Sequence, residues 1–179
     1  SYKFNQYTFY LAVFLLPSVG FISGLFFLAT LSSSVFKNWK SYLNDKWNIS
    51  FLIASFFLLI SSLSHLNNEI FLLNPDRQEL ISFFGLFNWI PFFLCFWGFQ
   101  PYLNSNSQRK IISYCLIAGT FPVIISGAGQ YWFNWTGPLQ LFNGLIIWFQ
   151  RPLDNNSGIT AIFNNANYLG SWLSICWPI

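Results

Sequence analysis

The polar residues best suited to chemistry gather in the last third of the sequence. Arg151 follows a short apolar run, and Asn164, Asn165 and Asn167 lie just downstream. A guanidinium group presents a planar fork of N–H donors that binds phosphate through paired, charge-assisted hydrogen bonds. Amide side chains both donate and accept hydrogen bonds. Together these residues predict a binding site for a ligand that carries phosphate or sugar groups.

Each of these residues also has a structural interpretation. In one alternative, Arg151 pairs with Asp154 or reaches towards lipid headgroups. Asparagine is unfavourable inside helices but favoured at their caps, so the asparagine cluster equally predicts the start of a helix. The sequence leaves these alternatives open.

The composition predicts a membrane protein. Of the 179 residues, 54% are hydrophobic and only 7% are charged, whereas soluble domains carry roughly 25% charged residues. The apolar runs between the charged residues are long enough to span a membrane, because a helix needs about 20 apolar residues to cross about 30 Å of hydrocarbon. We therefore expect an all-α fold, a polytopic transmembrane helix bundle, with no nucleic-acid partner.

The apolar runs predict about four complete spans and the start of a fifth, in a single, incomplete transmembrane domain over residues 1–179. The spans cover residues 9–32, 49–66, 80–100 and 111–133, and the fifth begins at residue 161 and runs to residue 179. Pro17 and Gly20 fall inside the first span, where we expect a kinked helix or, alternatively, a tight helical hairpin, because membrane helices tolerate such residues.

Basic residues in the connections between spans predict the orientation. Residues 33–48 contain Lys37, Lys40 and Lys46, and residues 101–110 contain Arg109 and Lys110. Because Lys and Arg concentrate on the cytoplasmic side, we expect these two connections in the cytoplasm and residues 67–79 and 134–160 outside. The protein would be a multi-pass protein of the plasma (inner) membrane.

One apolar run is too short to be a span. Residues 139–149, which read LQLFNGLIIWF, have about half the length that the hydrocarbon requires. We expect this run to lie in the membrane interface or to re-enter the bundle.

No metal or catalytic centre is evident. Cys95, Cys115 and Cys176 lack CxxC or Cys/His spacing and are typical of small apolar core residues. His65, at the end of the second predicted span, is interpreted as structural. We expect no metal and no cofactor, and we assign no catalytic residue.

The stretch around the candidate site carries a family resemblance. Arg151 is followed by Gly158, Phe163, Asn165 and Asn167. This order resembles the bacterial O-antigen ligase and polymerase family of polytopic membrane proteins, in which an Arg-containing outer segment precedes a Gly-(x)-Phe-(x)-Asn-x-Asn stretch that opens a membrane helix. The similarity extends from Gly129 to the end of the sequence, and the upstream part agrees only in hydropathy.

The resemblance implies an enzyme that transfers a glycan from an undecaprenyl diphosphate carrier to an acceptor, without a nucleotide sugar or a metal. Arg151, Asn164, Asn165 and Asn167 would then contact the lipid-linked glycan, with membrane lipids around them. It also implies that the catalytic histidine lies in a large outer loop beyond these residues.

Two other functions remain alternatives. Some relatives of that family are associated with bicarbonate uptake, so a membrane transporter is the first. No predicted span contains Asp, Glu, Lys or Arg, which ion-coupled carriers commonly use. A structural membrane subunit is the second, and it gives no reason for Arg151 and the asparagines.

The orientation predicts which connections are accessible from outside. In a variant that lacks the native cysteines, a single cysteine in place of Asn44 should resist an impermeant thiol reagent added to intact cells. A cysteine in place of Asn155 should react. The reverse labelling pattern would mean that the orientation is inverted.

Overall fold

The computed structural model describes residues 2–66, 85–87, 89–153 and 158–179. These residues are mostly helical, as predicted. The α-helices are α1 (Tyr2–Leu15), α2 (Gly20–Asn38), α3 (Lys46–Leu66), α4 (Ile90–Gly98), α5 (Asn106–Phe133) and α6 (Ala166–Cys176), with short 3₁₀ helices at Trp39–Asn44 and Gln100–Tyr102. Strands β1 (Leu139–Leu141) and β2 (Ile146–Trp148) form a two-stranded sheet, so the prediction of an all-α fold is wrong for this segment.

The chain divides into two compact units. The first unit comprises Ser1–Thr30 and Tyr102–Ile179, and the second comprises Leu31–Pro101. In the second unit, the Tyr42 ring meets the Trp97 ring edge-on and the Phe51 ring stacks on the Phe93 ring. The candidate site residues all belong to the first unit.

Three helical stretches among the described residues are long and apolar enough to cross a membrane: Gly20–Asn44, Lys46–Ser64 and Asn106–Phe133. Only 17%, 11% and 28% of their most apolar windows are buried within the protein. Large apolar side chains on them, such as Leu25, Phe57 and Phe121, are exposed. Soluble proteins rarely expose apolar faces of this extent, so these helices support a membrane protein in which lipid covers them.

The predicted second and fourth spans form helices α3 and α5. Helix α5 begins earlier than predicted because Ser105 and Gln108 form a capping box: Ser105 Oγ accepts from Gln108 N at 3.1 Å, and Gln108 Oε1 accepts from Ser105 N at 2.9 Å. This reciprocal pair satisfies N–H groups that a helix start leaves open. Pro122 lies inside α5.

The predicted third span falls partly outside the described residues, as does the connection 67–79. Helix α4 begins at Ile90, which places Pro91 in its first turn. A proline is tolerated there because its missing N–H would have no partner within the helix.

The predicted first span is not one helix. Helix α1 ends at Leu15 and α2 begins at Gly20. Ser23 Oγ donates to Ala12 O at 2.7 Å, and the ring of Phe27 lies 5.6 Å from that of Phe9. Since these partners lie on opposite sides of the break, the chain folds back as the tight helical hairpin that was the alternative prediction.

Residues 139–149 form a β-hairpin rather than a spanning helix. The strands are antiparallel, with Leu139 opposite Trp148 and Leu141 opposite Ile146. At the turn, Asn143 and Gly144 have φ angles of 57° and 88°. Asn-Gly favours this left-handed turn geometry, which matches the twist of a hairpin. The expectation that this run does not span as a helix is confirmed, and its position in the membrane interface or re-entering the bundle stays a prediction.

Helix α1 packs closely against α5 in the first unit. Phe9, Ala12 and Val13 of α1 are buried. On α5, a Cβ atom added to Gly119 would collide with the carbonyl oxygen of Phe14. The contact between the two backbones therefore requires glycine at this position.

Gly119→Ala should destabilise the first unit. Overpacking costs about 1–3 kcal/mol, more than the about 0.5–1 kcal/mol that alanine gains over glycine within a helix. Gly24→Ala in α2 is the matched control, because its added Cβ meets no atom within 4 Å apart from its chain neighbours and the backbone of its own helix. Thermal unfolding in detergent should give a lower midpoint for Gly119→Ala than for Gly24→Ala. Equal midpoints would contradict the close α1–α5 contact.

Candidate functional site

The side chain of Gln130 anchors the segment between β2 and α6 to helix α5. Its amide Nε2 donates to Arg151 O at 2.6 Å and to Thr160 Oγ1 at 3.2 Å. Its Oε1 accepts from Thr160 N at 3.0 Å and from Ala161 N at 2.9 Å. Gln130 is only 1% exposed. An amide offers two donors and two acceptor positions, so every one of them is used.

Further hydrogen bonds join this segment to α5, close it on itself and join α6 to α5. Gln150 Nε2 donates to Ser126 O at 2.7 Å, and Phe149 N donates to Ile162 O at 3.1 Å. Trp172 Nε1 of α6 donates to Thr120 Oγ1 of α5 at 3.0 Å. Val123, Ala161 and Ile162 form a buried apolar cluster. Four partly buried residues pack against it: Trp148, Phe163, Leu169 and Trp172. The segment is therefore a packed part of the first unit.

Arg151 and Asn164 line one cleft in this packed segment. The cleft has a volume of about 380 Å³, and its other lining residues are Gly137, Pro138, Phe149, Gln150 and Pro152. The volume falls in the range of about 300–1,000 Å³ that is usual for small-molecule sites. Arg151 and Asn164 are exposed, and among the described residues none accepts a hydrogen bond from the Arg151 guanidinium. The alternative pairing of Arg151 with Asp154 involves a residue outside the described ranges. The backbone of His65 belongs to α3, but its side chain lies outside what the structure describes.

Asn165 is the N-cap of helix α6. Its backbone is extended, with φ −147° and ψ 136°, and its Oδ1 accepts from Asn167 N at 2.8 Å. This is the geometry of a capping asparagine. Neither Asn165 nor Asn167 lines the cleft. The structural interpretation of the asparagine cluster therefore holds for Asn165. Asn164, in contrast, lines the same cleft as Arg151.

Gln130 is a residue of this site that the sequence prediction did not include. It lies in the charge-free run of α5, two residues before Trp132. A polar side chain in such a run usually faces a protein interior or cavity. That signal marks Gln130 as a residue with internal partners, although it does not say which partners.

The cleft is suited to binding an anion rather than to transferring protons. The guanidinium is a planar cation with several N–H donors, and the remaining lining residues are two with amide side chains, two prolines, a glycine and a phenylalanine. A phosphate group in the cleft would meet two sources of hydrogen-bond donors, the Arg151 guanidinium and the Asn164 amide.

Comparisons with known protein families, with curated proteins and with solved structures yield no match.

Asn165→Ala should destabilise helix α6 at its start. Loss of an N-cap side chain costs about 0.5–2 kcal/mol, so the thermal unfolding midpoint should fall. Asn165→Asp, which keeps the acceptor oxygen, should retain the wild-type midpoint. Asn167→Ala is the control, because only the backbone N of Asn167 takes part in the cap. If Asn165→Ala unfolds at the wild-type temperature, the cap contributes no stability.

Proposed function

We propose that the protein is a plasma-membrane glycan ligase or polymerase that transfers an oligosaccharide or polysaccharide from undecaprenyl diphosphate to an acceptor. The observation that carries this proposal is the cleft that Arg151 and Asn164 share. The resemblance of residues 129–179 to the O-antigen ligase and polymerase family supports it. The three long apolar helices supply the membrane setting that a lipid-linked donor needs.

The position of the cleft along helix α5 suits the diphosphate of a lipid. Helix α5 has 28 residues, or about 42 Å at 1.5 Å per residue, which matches the about 40–45 Å of a bilayer with its headgroup regions. Arg109 and Lys110 lie in its first turns, while Gln130 and the attached cleft lie at its other end. If basic residues face the cytoplasm, the cleft lies at the outer headgroup level, where the diphosphate of a flipped carrier is found.

Arg151 would hold the diphosphate by a bidentate contact. A guanidinium fork matches two phosphate oxygens, and this geometry is not available to a lysine ammonium. Asn164 would donate from its amide to a third oxygen or to the first sugar. Asn165 and Asn167 would contribute through the start of helix α6 rather than by direct contact.

The reaction exchanges one bond at the anomeric carbon of the glycan for another. The bond between the anomeric carbon and the diphosphate oxygen breaks, and the oxygen of an acceptor hydroxyl bonds to the same carbon. The hydroxyl proton goes to a base that none of the cleft residues provides. Undecaprenyl diphosphate leaves with the electron pair, and its growing negative charge strengthens the contact with Arg151, which lowers the barrier.

Arg151→Ala should weaken binding of undecaprenyl diphosphate and slow glycan transfer. Charge-assisted hydrogen bonds contribute about 1.5–3 kcal/mol each, which corresponds to about ten- to more than a hundred-fold in affinity or rate. Arg151→Lys should lose less than Arg151→Ala but still a large part. The measurements are titration of the detergent-solubilised protein with undecaprenyl diphosphate and a transfer assay with the full-length protein in membranes.

Two controls make this measurement specific. Arg109→Lys changes an exposed arginine at the opposite end of α5, where Arg109 bonds Asn106 Oδ1, and should leave both readouts unchanged. Undecaprenol, which has no phosphate, reports the contribution of the lipid chain alone. Wild-type affinity and transfer in Arg151→Ala would mean that Arg151 only contacts headgroups, and the proposed function would be withdrawn.

A further inference from the structure

Arg151 is fixed at both of its backbone polar groups. Its N–H donates to Thr160 Oγ1 at 3.2 Å, and its carbonyl oxygen accepts from Gln130 Nε2 at 2.6 Å. The guanidinium nevertheless belongs to an exposed residue. The backbone of Arg151 is thus held by a buried network, while the side chain stays available to a ligand.

The hydrogen bonds of this network meet at the side-chain amide of Gln130 in α5. Gln130 binds the carbonyl of Arg151 and the N–H groups of Thr160 and Ala161. Residues 151 and 160, the two ends of the intervening stretch, are therefore held at the same place on a long helix. Ala161 is fully buried with φ 49°, a left-handed conformation that L-residues keep only where their surroundings impose it.

We infer that Gln130 is a positioning residue, which sets the affinity of the cleft for a diphosphate by fixing the backbone of Arg151. This inference rests on the proposed function, since it gives Arg151 the diphosphate as ligand. Gln130 itself is buried and does not line the cleft, so it acts through Arg151. Glutamine suits this role because two donors and two acceptors are needed at one point.

Glutamate at this position would break half of the network. A carboxylate accepts hydrogen bonds but donates none. Gln130→Glu therefore keeps acceptors for Thr160 N and Ala161 N, but it sets an oxygen against the carbonyl oxygen of Arg151. The backbone of Arg151 would shift, and the guanidinium fork would lose its alignment with two phosphate oxygens. Affinity for undecaprenyl diphosphate should fall about tenfold, the value of one bond of about 1.4 kcal/mol.

Thr160 offers a second and milder probe of the same network. Thr160→Val keeps the shape of the side chain but removes the oxygen that accepts from Arg151 N and from Gln130 Nε2. Thr160→Ser retains that oxygen and should restore most of the affinity. If Gln130→Glu fails to fold, the Thr160 variants still test the same network. Asn48→Asp is the control for burying a carboxylate in place of a buried amide, because Asn48 is 1% exposed and bonds Tyr42 O in the second unit.

A double-mutant cycle separates positioning from general destabilisation. Affinity for undecaprenyl diphosphate is measured for Gln130→Glu and Thr160→Val, each with Arg151 present and with Arg151→Ala. If Gln130 acts through Arg151, each change weakens binding about tenfold when Arg151 is present and less than about twofold when it is absent, because coupled residues are non-additive. Asn48→Asp should change affinity by the same small factor in both backgrounds.

The outcomes distinguish failure of the inference from failure of the proposed function. An equal loss of affinity in both Arg151 backgrounds, or wild-type affinity in both Gln130→Glu and Thr160→Val, overturns the positioning role and leaves the diphosphate site in place. Wild-type affinity of Arg151→Ala on its own overturns both.

Discussion

The amide of Gln130 is the interaction on which the rest of the first unit depends. An unpaired amide in an apolar environment costs several kcal/mol, on the order of 2–7, so a glutamine near the end of a membrane helix must find four partners. It finds them in backbone groups of Arg151, Thr160 and Ala161 and in the Thr160 hydroxyl. One residue of α5 thereby fixes the position of the segment that follows the hairpin, and this segment forms part of the cleft.

The hairpin contributes to the same arrangement from the other side. Trp148 Nε1 donates to Ser18 O in the turn between α1 and α2 at 3.0 Å, and Gly137 N donates to Gln150 O at 2.7 Å. Helix α5 ends at Phe133 with Asn134 in a left-handed cap. A Cβ atom on Gly129 would collide with the ring of Trp135, so the chain can turn back over the helix only because Gly129 has no side chain. The short strands, the turn and the helix end together frame the cleft.

Lipid exposure and internal polarity are complementary in this protein. The long helices expose their apolar side chains and bury little of them, because hydrocarbon accepts such faces without cost. The buried positions of α5 instead include Thr120 and Gln130, and both side chains have hydrogen-bond partners within the protein, as polar groups in a membrane require. The hydrogen bonds around Gln130, near one end of α5, fix the backbone beside the cleft. Binding, in the proposed function, would then depend on preorganisation more than on the number of contacts.

The sequence by itself determined the elements whose signals are local. Charge-free runs of spanning length predicted α3 and α5. A helix start was one of two interpretations of the asparagine cluster, and the structure identifies Asn165 as the cap. The Asn143-Gly144 pair was an available hairpin signal that hydropathy masked, since short apolar runs look alike whether they form strands or interfacial helices. The sequence did not decide between a kinked helix and a helical hairpin at Pro17, because a proline permits either a kink or a turn. Only the tertiary structure decided these cases and brought Gln130 to Arg151 and Arg151 to Asn164. Such contacts depend on which distant backbone groups need hydrogen-bond partners, and that need appears only once the chain has folded.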